Sequence, residues 1–103
     1  VFPAGVGVVP WMVPGGRDIA VATSKLMEKY DLAIWAHHGI FGTGEDFNST
    51  FGLVDTVEKS AEILVKVLSM TQEKRQTITR KNFEDLAADF KVTLDSETLK
   101  ICK

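Results

Sequence analysis

The stretch Asp31–Gly44, D-L-A-I-W-A-H-H-G-I-F-G-T-G, decides how this chain is read. Leu32, Ala33, Ile34 and Trp35 make a short apolar run that stops abruptly before a polar pair. So short a run suits a buried strand better than a helix. His37, His38 and Gly39 then stand at the carboxyl end of that strand, the edge where open α/β sheets place their ligands. Imidazole binds metals and exchanges protons near neutral pH, and glycine lets the backbone turn tightly. The chain has no other histidine.

Upstream, Val1–Val9 alternates apolar residues with Ala and Gly and reads as a strand, with Gly5 and Gly7 marking weakness or the close approach of another backbone. Pro14-Gly15 is a turn pair, Pro fixing φ and Gly supplying φ > 0. Trp11 and Met12 are expected to pack beneath that loop rather than line a binding mouth. Ile19, Ala22, Leu26 and Tyr30 recur at helical spacing, which predicts a helix over 18–30 with Asp18 at its positive end and Lys29 at its negative end. The order strand, helix, strand favours an α/β layered sheet.

Downstream, the glycine-spaced segment 39–44 lacks both a following Lys-Ser/Thr and the G-x-G-x-x-G spacing, so its phosphate-loop signal is weak. A second short strand or turn carrying Ile40 and Phe41 into the core is expected instead. Asn48, Ser49 and Thr50 offer caps for a long helix whose stripe is Val54, Val57, Ala61, Leu64, Val65 and Leu68. The charges beside that stripe read as a solvated face, with Glu62 and Lys66 in the favourable i,i+4 order. Residues 71–80 are polar and read as a connection. Thr79 is placed to cap a last short helix bearing Phe83, Leu86, Ala87 and Phe90. Residues 91–103 show no convincing period.

Length and composition fit one small domain: 103 residues with 45% hydrophobic content. A net charge of -2 gives no electrostatic case for nucleic acid or an anionic membrane as partner. No apolar run approaches the roughly 20 residues of a membrane helix, and no signal peptide is visible. The single cysteine, Cys102, excludes an internal disulfide, suits a reducing, cytoplasmic setting and reads as a bystander near the terminus. An opening on Val1-Phe2-Pro3, apolar where domains usually begin polar and loosely held, suggests a piece of a longer protein.

The histidine pair alone does not settle its chemistry. Neighbours in an extended chain point to opposite faces, so one ion is not expected to take both His37 and His38. A histidine beside a strand end is more often a hydrogen-bonded structural residue than a ligand. Catalytic zinc normally takes three protein ligands, and the chain shows no H-x-H, H-E-x-x-H or C-x-x-C to supply them. From the residues themselves the reading stops at an α/β domain whose histidines are either structural or part of a metal site.

A resemblance carries it further. The run I-W-x-x-H-G-I-F-G-T-G over Ile34–Gly44 resembles the class II zinc-dependent sugar-phosphate aldolases, in particular the L-rhamnulose-1-phosphate aldolase family. So do V-F-P-A-G-V-G-V-V-P-W-M-V-P-G over Val1–Gly15, T-F-G-L-V-D-T-V-E-K-S-A over Thr50–Ala61, L-V-K-V-L-S-M over Leu64–Met70 and K-R-Q-T-I-T-R over Lys74–Arg80. The likeness covers about positions 1–90 here and falls on the carboxyl-terminal portion of the family's chain. It implies a layered α/β/α fold with a mixed central sheet, of which residues 1–103 form the carboxyl-terminal part, assembled as a homotetramer.

The implied reaction is reversible retro-aldol cleavage of L-rhamnulose 1-phosphate to dihydroxyacetone phosphate and L-lactaldehyde, with Zn2+ as Lewis acid. The family's zinc is held by an H-x-H pair from earlier in the chain and by the histidine before the turn glycine. That position is His38 here. Position 37 departs from the pattern, which has an aromatic residue there, so His37 is expected behind the ligand or in packing. The acid-base Glu, the H-x-H pair and the phosphate-binding residues are expected in polypeptide preceding this chain, which would leave the isolated chain inactive. Another sugar-phosphate aldolase or epimerase of the same fold, or a non-catalytic fragment, are the alternatives.

Overall fold

Three short strands pair in chain order, and the two pairings run in opposite senses. The chain is described from a computed structural model covering residues 4–73 and 76–101. β1 (Gly7–Val9) lies parallel to β2 (Leu32–Trp35), with α1 (Arg17–Met27) as the crossover. β2 turns back antiparallel into β3 (Gly39–Gly42), so the sheet is mixed. Then come α2 (Phe47–Met70), α3 (Arg80–Phe90) and α4 (Ser96–Ile101).

The pleat assigns the layers. Gly7 pairs with Ala33 and Ala33 with Phe41, so these three share one face. A Cβ on Gly7 would sit 2.9 Å from the Tyr30 ring and 3.2 Å from Leu26 Cδ1, so this face meets α1 and the residues closing it. Leu32 and its partner Gly42 belong to the other face. There a Cβ on Gly42 would lie 3.1 Å from Val54 Cγ2, which puts the start of α2 on that side. The helices therefore cover opposite faces, as the α/β/α expectation requires. Both glycines are close-approach positions against side chains, whereas at Gly7 strand weakness or the approach of another backbone was expected.

Among the described residues the buried apolar side chains are Val9, Ile19, Leu32 and Ala33, with Thr23 the buried polar one. The core thus sits between β1, β2 and α1. α2 and α3 contain no buried residue. On the α2 face a row runs across all three strands, Val8 to Ile34 to Ile40, and its members are 61%, 37% and 37% exposed. The radius of gyration is 15.2 Å, against about 13 Å for a compact domain of this length.

Several expectations are corrected. The opening strand is confined to 7–9, with residues 1–3 outside the described region. Trp11 is 61% exposed, while Met12 beside it is half-buried. Segment 39–42 is a strand, but Ile40 and Phe41 remain 37% and 42% exposed rather than entering the core. The α2 cap is Asp46, whose carboxylate accepts from the Ser49 N–H at 2.8 Å and from the Ser49 hydroxyl at 3.0 Å. Asn48, Ser49 and Thr50 lie inside the first turns. The tail forms α4, with Lys100 on Glu97 at 2.9 Å.

Other expectations hold. Gly15 has φ 78° after Pro14. Lys66 meets Glu62 at 2.6 Å. Thr79 and Asn82 form the reciprocal capping box of α3. Cys102 lies outside the described residues.

Two consequences are measurable. Leu32 is fully buried, so Leu32→Ala should destabilise the fold by about 2–5 kcal/mol in urea unfolding. The bonds from Ser49 lower the Asp46 carboxyl below its ordinary value. A depressed folded value means that the contribution is complete above about pH 4 and is lost as pH falls through the folded value. Asp46→Asn keeps an acceptor for the cap and should remove that part of the acid dependence of helicity, read by far-ultraviolet dichroism.

Candidate functional site

β2 and β3 are joined by Ala36, His37 and His38, which places both histidines at the carboxyl end of β2 as the sequence implied. The link is a tight turn closed by the His38 N–H donating to the Trp35 carbonyl at 2.9 Å. His37 takes φ 64°, the left-handed region, while Ala36 keeps negative φ: the φ signs of a type II turn. That third turn position usually holds glycine; His tolerates it better than β-branched residues do. Gly39 comes next at φ 156°. The pair is thus in a turn and not in extended chain, so alternation of faces does not govern where the two rings go. Both histidines are exposed.

What holds the turn lies below it. Ala36 N–H donates to the Val9 carbonyl at 3.0 Å, carrying the parallel ladder one residue past Trp35. The Trp35 indole N–H donates to Thr23 Oγ1 at 3.0 Å, and the Thr23 hydroxyl donates to the Ile19 carbonyl at 2.6 Å. The Trp35 ring stacks on Phe41 across the hairpin, with centroids 5.9 Å apart and planes 5° from parallel. At the open end of the hairpin the Thr43 N–H donates to the Asp31 carbonyl at 2.9 Å.

Thr23 was not singled out from the sequence. Its signal was a hydroxyl at i+4 from Ile19, inside an otherwise apolar stripe.

As a zinc donor, His38 offers one exposed imidazole and suits one coordination position. Among the described residues no group of three His, Cys, Asp or Glu side chains is placed to hold an ion. Among the described residues no helix is long and apolar enough to cross a membrane, α2 included.

Comparison with known proteins agrees with this architecture. Over 93 residues the chain is 58% identical to the rhamnulose-1-phosphate aldolase of Mannheimia succiniciproducens, covering 90% of this chain and 34% of that protein. It is 55% identical over 93 residues to the putative rhamnulose-1-phosphate aldolase of Salmonella typhi, with the same coverage. It is also 55% identical over 92 residues to that of Klebsiella pneumoniae strain 342, covering 89% of this chain and 33% of that protein. The chain spans about a third of the length of these curated relatives. Residues 1–65, which include β1, β2, the histidine turn and the first part of α2, match the family described as Class II Aldolase and Adducin N-terminal domain, and the chain belongs to that family.

Proposed function

We propose that this chain forms the carboxyl-terminal part of a class II aldolase domain that cleaves L-rhamnulose 1-phosphate reversibly to dihydroxyacetone phosphate and L-lactaldehyde. The observation that carries this reading is the 58% identity over 90% of the chain to a rhamnulose-1-phosphate aldolase. The fold adds that His38 stands exposed at a strand's carboxyl end. In this reading Zn2+ is the cofactor, and when bound it supplies Lewis-acid polarisation of the sugar's ketone. The assembly is a cytoplasmic homotetramer.

The parts played by this chain's residues derive from the turn. His38 presents a neutral ring nitrogen as one metal ligand, with the other donors and the acid-base Glu in polypeptide outside residues 1–103. The His38–Trp35 backbone bond and the left-handed His37 fix the main-chain path from which the His38 side chain departs. Trp35 and Phe41 form an apolar floor under one side of the hairpin. His37 is assigned no ligand role.

The test is dihydroxyacetone phosphate release by the full-length natural protein containing these residues, with and without chelator. Activity should vanish with chelator and return with zinc; release of an epimerised sugar phosphate instead would move the assignment to the epimerase branch. His38→Ala should lower zinc affinity by more than the roughly 10–100-fold typical of residues behind a ligand. The isolated 103-residue chain should show no aldolase activity and weak zinc binding by dialysis and metal analysis, because one imidazole cannot hold a catalytic ion.

A further inference from the structure

Thr23 is the buried polar side chain of the described core, and both functions of its hydroxyl are used. It donates to the Ile19 carbonyl within α1 and accepts the indole N–H of Trp35 in β2. A helix packing its apolar face on a sheet has no intrinsic need of a hydroxyl there, and Val would fill the same volume without the cost of burying oxygen. The bond to Ile19 is satisfied locally and needs no residue of the sheet. The bond to Trp35 ties two elements together twelve residues apart in sequence.

The end of β2 needs such a tie. Trp35 is its last residue, and the partner across the hairpin is Gly39, which has no side chain to pack against. The Trp35 carbonyl accepts the bond that closes the histidine turn. Beyond the ladder, the tryptophan is held by its ring on Phe41 and its N–H on Thr23.

We propose that Thr23 is a positioning residue for His38: through the indole it locks Trp35, and through Trp35 the turn that aims the imidazole at the metal. This rests on the assignment of His38 as a zinc ligand. It extends that assignment to a residue of α1 fifteen positions away that never touches the ion.

The experiment measures zinc affinity of the full-length natural protein by chelator competition, with thermal unfolding of the metal-free form alongside. His38→Ala is the control for the underlying assignment. Thr23→Val keeps volume and removes the acceptor; it should weaken zinc binding by about 10-fold or more, the range for groups that orient a ligand. Thr23→Ser keeps the hydroxyl and drops a methyl group; it should restore zinc affinity to near the natural value even where it lowers the unfolding temperature. Trp35→Phe removes the donor and keeps a ring on Phe41; combined with Thr23→Val it should be no worse than the more affected single variant, since both remove one bond.

A merely structural Thr23 would make affinity track unfolding temperature, with Ser no better than Val, and that result overturns the proposal. So does a Thr23→Val protein that binds zinc as tightly as the natural one while His38→Ala does not. If His38→Ala itself leaves zinc affinity unchanged, the ligand assignment fails first and the positioning role falls with it.

Discussion

Leu32 and Ala33 are adjacent in β2, point to opposite faces of the sheet, and are both fully buried. This double burial is the constraint on which the rest depends. A strand apolar on both faces must have a layer on each side, so α1 and α2 have to lie on opposite faces. The parallel partner β1 can be reached only through a crossover, which α1 provides, and the antiparallel partner β3 through a short turn. A doubly buried central strand with one hairpin partner therefore imposes a tight turn at its carboxyl end, and the two histidines occupy that turn.

Much of this was legible in the sequence. The apolar run with its sudden end announced β2, and helical spacing announced α1, α2 and α3. The Thr79–Asn82 cap and the Pro14-Gly15 turn arise from local side-chain chemistry, which acts over a few residues and is written in them. What failed was set by tertiary context. Asn48, Ser49 and Thr50 are all competent caps, but the helix starts where the chain leaves β3, and Asp46 stands there. Ile40 and Phe41 have core-like side chains, yet burial depends on what lies opposite, which composition does not reveal. α4 has six residues, too short for a period to register.

The site divides the same way. The place of His38 at a strand end was readable from pattern, and its chemistry from resemblance. Thr23 was not readable, because a lone hydroxyl in an apolar stripe gains meaning only when Trp35 is seen twelve positions on. His37 was judged as part of an extended chain; its left-handed φ shows the backbone turning two residues before the glycine.

The row Val8–Ile34–Ile40 has a practical consequence for handling the polypeptide. It starts at Val8 on β1, which is an edge strand of the sheet among the described residues, so exposed aliphatic side chains and a strand edge occur together there. Flat aliphatic surface next to an open strand edge is the template on which foreign strands assemble. Charges placed along that row would oppose such assembly when the 103-residue polypeptide is handled alone.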